Sequence, residues 1–230
     1  MPRPLAPDVM ASTAGDPDAV RDHILDAAYR VITGHGLAAA STRAIAEEAG
    51  IGAGTLYNYF QDRLQLVAET MLQRARVLSQ PLSKLPSRAG NGTVAHNLRR
   101  FAHQVGAILD QLVPLFAAAF SDADLLEALR RAMASDAWSG GPFAVHPIEG
   151  YLVAEQELGR VAPDADCRSA TSLILSLCHE RAFLDYFAGK TATRKSITKQ
   201  IDFIARAISP ATAGGSGPSR TAATSRPEEQ

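Results

Sequence analysis

The sequence predicts an all-helical (all-α) protein, and three observations carry that expectation. Apolar residues recur at three- and four-residue spacing, as in Ile24, Ala27, Ala28, Val31 and Ile32, or Ile197, Ile201, Ile204, Ala205 and Ile208. No stretch alternates apolar and polar residues as a half-buried strand does, and no internal repeat is present. Glycine, proline and short polar capping residues punctuate the apolar runs where helices would stop and start.

At 230 residues with 46% hydrophobic residues, the chain is large enough to bury a real core in one or two domains. Its formal charge of −1 and pI of 6.6 do not by themselves advertise a polyanionic partner. No apolar run approaches the roughly 18 residues of a membrane span. Residues 1–17 contain Arg3 but no apolar segment after it, so no signal peptide is read and a cytoplasmic location is expected. Cys167 and Cys178 lie on one predicted helix, 11 residues apart. At ~1.5 Å per residue that is roughly 16 Å, too far for a disulfide, which needs Cα atoms within about 7 Å.

In chain order, residues 1–17 hold four prolines and no periodicity, and read as a disordered arm. Asp16 or Asp18 caps a first helix running to about His35, which Gly34 and Gly36 end. Residues 37–41 link to a short helix from Thr42, with Ile45, Ala46 and Ala49 inward and Gly50 as its stop. Gly52, Ala53 and Gly54 turn the chain. A second short helix, from about Ala53 to Phe60, turns Leu56 and Phe60 inward and Thr55, Asn58 and Tyr59 outward. Such a helix is too short to stand alone, and its polar outer face suits a recognition helix in a DNA major groove.

Asp62 caps a longer helix that carries Leu64, Val67, Met71 and Leu78 inward and ends near Pro81. As the join between head and body, it is expected to carry any ligand-driven movement. Residues 81–92 are the clearest linker. Helices are then expected over Thr93 to about Val113, broken at Pro114, over Leu115 to Phe120 and over Asp122 to about Ser135. Gly140, Gly141 and Pro142 punctuate. Phe143 to Leu158 reads as a helix that Pro147 kinks or starts later. The last helices are Asp164 to about Phe187 and Thr193 to Ile208. Residues 209–230 have the composition of a disordered tail. The domains read as 18–66 for the helix-turn-helix head and 67–208 for the body.

Thr42-Arg43, Ile45-Ala46-Glu47, Ala49-Gly50-Ile51, Gly54-Thr55-Leu56-Tyr57, Tyr59-Phe60 and Arg63-Leu64 together resemble the DNA-binding head of the tetracycline-repressor (TetR) family of transcriptional regulators. The strict likeness spans about Ala19 to Leu66; beyond it only the succession of helices is similar. The resemblance implies a three-helix DNA-binding domain followed by a helical ligand-binding and dimerisation domain. It gives Arg43, Thr55 and Asn58 to base edges, Asn58 suiting an adenine. Ala53 and Gly54 would allow close backbone approach or a methyl contact, and Thr42, Tyr57, Tyr59 and Arg63 would hold phosphates. Tyr57 and Tyr59 also fit as packing residues. Gly52 stands where a capping side chain is common in the family. Ala53 replaces a long polar residue, removing one base-edge hydrogen bond.

The head is acidic. From Asp18 to Leu66 the four residues Arg21, Arg30, Arg43 and Arg63 oppose the six residues Asp18, Asp22, Asp26, Glu47, Glu48 and Asp62, a formal −2. Glu47 and Glu48 read as a solvated face. Few phosphates would be neutralised, so weak non-specific binding and a shallow salt dependence are expected.

In the helix before the last, apolar residues on more than one side (Leu173, Ile174 and Leu177 on one, Leu175, Ala182, Phe183 and Tyr186 on others) exceed what one small body covers. Pairing with a second copy, as the resemblance implies, would bury them; the same pattern also fits ordinary core helices. The resemblance places a small-molecule pocket among the middle helices, where His103, Phe116, Phe120, Trp138, Tyr151, His179 and Phe183, with Met133 and Phe143, supply the bulk. His96 and His103 are seven apart on one helix, about 10 Å, too far to share a zinc ion. No metal or cofactor is expected. Cys178, His179 and Glu180 are adjacent and diverge around a helix, and no catalytic motif is found, so no enzyme is read.

The sequence thus predicts a homodimeric regulator, a repressor released from a palindromic operator by a small molecule. The alternative is a ligand-binding or interaction protein with little useful DNA affinity.

Overall fold

The computed structural model describes Thr13 and residues 16–134, 146–189 and 194–210. Among the described residues there are nine α-helices and no strand. They are α1 (Pro17–His35), α2 (Thr42–Glu48), α3 (Ala53–Leu56), α4 (Arg63–Ser79), α5 (Val94–Ala119), α6 (Ala123–Ala134), α7 (His146–Glu157), α8 (Cys167–Phe187) and α9 (Arg194–Ala207). None of the described helices is long and apolar enough to cross a membrane. The expected arm and tail, and Trp138, Gly140, Gly141, Pro142 and Phe143, lie outside the described residues, Thr13 and residues 16, 17, 209 and 210 apart.

Local chemistry sets the helix ends. The Asp16 carboxylate accepts from Asp18 N at 3.1 Å, Asp62 from Gln65 N at 2.7 Å, Thr93 from His96 N at 3.1 Å and Asp166 from Ser169 N at 3.0 Å. Each satisfies a backbone donor that the first turn leaves unpaired, worth about 1 kcal/mol. Residues 80–88, expected as linker, wind into two short 3-10 turns, Gln80–Lys84 and Pro86–Arg88.

Two apolar cores hold the helices. One gathers Ile24, Ala28, Ile45, Leu56, Phe60, Leu66 and Met71 from α1–α4, and is closed by Leu115 and Ala119 of α5 with Leu125, Ala128 and Leu129 of α6. The other gathers Leu98, Phe101, Val105 and Leu112 of α5 with Tyr151, Ile174, Cys178, Ile201 and Ile204 of α7–α9. Phe116 touches both.

Three expectations are corrected. Pro114 does not break a helix, because α5 runs through it from Val94 to Ala119. Proline removes the bond to the Asp110 carbonyl, but Pro114 and Asp110 both lie on the exposed side of the helix, where its ring meets no packed neighbour helix. Second, α3 ends at Leu56 rather than Phe60, the chain continuing in turns. Third, α4 is not the sole join, since α5 and α6 also pack into the first core. The isoleucine stripe of the last helix faces its own chain: Ile197, Ile201, Ile204 and Ile208 are all buried.

Candidate nucleic-acid interface

The helix-turn-helix is built on a closed turn. Ser41 Oγ accepts from Ala44 N at 3.2 Å and starts α2. At its end Gly50 takes φ +67°, while Ile51 N donates to Ala46 O at 2.9 Å and Gly50 N to Glu47 O at 3.1 Å. This pair of bonds satisfies the last carbonyls of α2 and needs a left-handed residue between them, which glycine supplies without strain. Ala49, Ile51, Leu56 and Phe60 are then buried, which fixes α3 against α1 and α2 although a single turn has no stability of its own.

Arginines brace this unit from inside. Arg63 Nε donates to Ala40 O at 2.7 Å and its Nη2 to Leu37 O at 2.9 Å, holding the segment ahead of α2. Arg21 lies over the Phe60 ring, 4.4 Å from its centroid, and pairs with Glu69. Arg30 pairs with Glu48 at 2.6 Å. Neither Arg21 nor Arg30 was expected to do this from sequence, because their partners lie 48 and 18 residues away.

The nine residues expected at the nucleic acid therefore divide. Arg43, Ala53, Gly54, Tyr57 and Asn58 are exposed on the outer surface, with Tyr57 at 55%. Thr42 is half-buried, its Oγ1 3.4 Å from the Tyr57 hydroxyl, which positions that ring. Tyr59 is half-buried against the core. Thr55, expected outward, is 5% exposed; the shortness of α3 turns it inward beside Leu56. Arg63, expected on phosphate, spends two of its nitrogens on backbone carbonyls. A Cβ placed on Gly54 would meet nothing within 4 Å, so the outer face of α3 is open to a partner. Guanidinium, phenol and amide on that face are donors suited to phosphate and base edges.

The described residues expected around a ligand differ widely in exposure and packing. Tyr151 is fully buried; its hydroxyl accepts from Asn97 Nδ2 at 3.0 Å, and burial holds the phenol well above its ordinary pKa. His103, exposed, borders a narrow groove between α5 and α8 with Gly106, Cys178 and Asp185. Burial pushes the Cys178 thiol up to about 12. His179 Nδ1 sits 2.8 Å from Leu175 O. Phe120, 62% exposed, stands 6.4 Å from Phe183, which stands 6.0 Å from Phe187. Trp138 lies outside the described residues. Among the described residues no group of three or more His, Cys, Asp or Glu is placed to hold a metal ion.

Besides Tyr57, the exposed large apolar side chains include Leu173, Leu184, Tyr186 and Phe187 of α8, Phe203 of α9, Phe120 and Leu158. Leu184 and Leu177 share a shallow depression with Gln200, so the outer faces of α8 and α9 are continuous. The sequence signal for Phe203 is its place off the isoleucine stripe, beside Asp202.

Comparison with known proteins gives one family model, bacterial regulatory proteins of the tetR family, matching residues 24–70. No curated protein matches the chain. Among solved structures, a protein of Mesorhizobium loti described as a TetR-family transcriptional regulator is 19% identical, with a TM-score of 0.68 over 84% of this chain and 96% of that one. The Bacillus subtilis regulator FadR, in complex with stearoyl-CoA, is 16% identical, with a TM-score of 0.53 over 82% and 97%. The multidrug binding protein EbrR, complexed with imidazole, is 17% identical, with a TM-score of 0.52 over 80% and 93%. At these identities the likeness is one of fold. Residues 24–70 thus match the model of the tetR family of bacterial regulatory proteins, and the described chain is folded as TetR-family regulators are.

Proposed function

We propose that this DNA-binding regulator is a homodimeric repressor that holds a palindromic operator and leaves it when a small molecule binds the body. The observation that supports this most is the outer face of α2 and α3. There Arg43, Tyr57 and Asn58 stand exposed, on helices whose inner faces and ends are closed by the chain itself. Arg43 and Asn58 read bases, Tyr57 and Thr42 hold phosphate, and Ala53 and Gly54 let the backbone approach. The uncovered face of α8 and α9 is where a second copy pairs, setting two α3 helices about 34–36 Å apart, one turn of DNA. A ligand in the body shifts that spacing only by its difference in affinity for the two states.

The test is selection of bound fragments from a genomic DNA pool by the purified protein, at low and near-physiological salt. Recovery of one inverted repeat at both is expected. Sequence-independent binding that salt removes would reject the repressor, and would favour a small-molecule binder whose acidic head has little DNA affinity. On the recovered site, Arg43→Glu should weaken binding about tenfold or more with the oligomeric state unchanged.

A further inference from the structure

The body carries a cationic cleft whose described lining residues include none of those expected around a ligand. It opens between the 3-10 turns Gln80–Lys84 and Pro86–Arg88 and the first half of α5, with a volume of about 340 Å³. Lys84, Arg88 and Arg100 stand around it, and none of the described residues lining it is acidic. Its floor is apolar: Leu85 and Phe101, also among the lining residues, are 6% and 2% exposed.

The cleft is braced from below by a buried amide. Asn97, 1% exposed, donates through Nδ2 to Asn91 O at 2.7 Å and to the Tyr151 hydroxyl at 3.0 Å. Its Oδ1 receives Arg88 Nε at 3.3 Å. The Arg88 guanidinium is thus held at the edge of the cleft by a residue that is itself fixed by two further bonds. Such pre-ordering lowers the entropy lost when a ligand is gripped.

We propose that this cleft binds a small organic anion, a carboxylate or phosphate monoester on a flat apolar body. Arg88, Arg100 and Lys84 take the charge, and Leu85 and Phe101 take the body. Three cations with no acidic neighbour in the lining favour an anion by direct charge-assisted hydrogen bonds. The volume lies at the small end of ligand pockets. Because one wall continues directly from the end of α4 and another is α5, an occupant ties together two helices that both reach the first core. Its use as an effector site rests on the regulator reading; the binding itself does not.

Calorimetry on the full chain, without DNA, tests it with benzoate, phenyl phosphate, inorganic phosphate and neutral benzamide. Saturable binding of benzoate or phenyl phosphate is expected, with benzamide at least about tenfold weaker. The double variant Lys84→Gln with Arg100→Gln should lose about tenfold in affinity. It leaves the Asn97 bonds untouched, so its melting temperature should match that of the parent chain. Arg88→Gln should lose affinity as well. No saturable binding of either organic anion in the millimolar range, equal binding of benzamide, or an unaffected double variant would overturn the assignment. Inorganic phosphate binding as tightly as phenyl phosphate would overturn the part given to the apolar floor. Failure here leaves the fragment selection standing, and failure of that selection leaves this titration standing.

Discussion

The two cores dispose of their apolar surface in opposite ways. In the first, Ile24, Ile45, Leu56, Phe60, Leu66 and Met71 are at most 1% exposed. Among the described residues before α4, only Tyr57 is an exposed large hydrophobic side chain. In the second, an equally buried interior at Leu98, Phe101, Tyr151 and Ile174 lies behind an outer face that leaves Leu173 at 57%, Leu184 at 56%, Phe187 at 75% and Phe203 at 66% exposed. A closed apolar unit offers partners only its polar tips, whereas a unit with contiguous exposed apolar side chains marks a contact surface. The difference teaches that one chain closes the helix-turn-helix unit but leaves the body with an exposed apolar face.

The contrast is broken most severely by attacking the closed core. Phe60→Ala removes a fully buried ring and the surface under Arg21, and should cost about 3–5 kcal/mol, read as a large fall in the melting temperature. Loss of under about 1 kcal/mol would mean that the first core is looser than its burial implies. On the open face, Leu184→Glu with Phe187→Glu should leave the fold intact and weaken self-association by about 2 kcal/mol or more, roughly thirtyfold. Sedimentation equilibrium reads it, and an unchanged dimer would remove this face from the pairing surface.

The smallest effect asks whether the interior of the body is as dry as that of the head. With its thiol raised from 9.0 to about 12 by burial, Cys178 favours the folded state only while neutral. The contribution is complete below pH 9 and is lost as pH climbs from there toward 12. Denaturant unfolding should therefore weaken over that window by up to about 1.4 kcal/mol per pH unit, and Cys178→Ala should flatten the slope. Equal slopes in both proteins would show a wetter interior.

Much of the head was legible because its determinants are local. Asp16, Gly36, Gly50 and Asp62 each act on a backbone group within a few residues, so the ends of α1, α2 and α4 follow from short spacing. Thr55 was misplaced because an outward face was drawn on a helix of two turns, whereas α3 has one and its orientation is set by Phe60 packing from beyond its end. The braces were invisible for another reason: Arg21 meets Glu69, and Asn97 meets Tyr151 across 54 residues, and no periodicity encodes such meetings. Pro114 misled because proline's cost depends on where the orphaned carbonyl points, which only the packed helix settles. For the pocket, the resemblance gives only a region among the middle helices, and side-chain bulk there does not say whether rings face each other or a cavity.

The seam in α5 bears on how such a chain could be recombined. Val113 belongs to one core and Leu115 to the other, with Pro114 between them. A chimaera cut in the turns of residues 80–93, where the chain looks most divisible, would transplant the helix-turn-helix unit without Leu115, Ala119, Leu125, Ala128 and Leu129, the side chains that close its core. The unit that travels intact is discontinuous in sequence, and a graft that respects it must carry the stretch from Leu115 through α6 along with α1–α4.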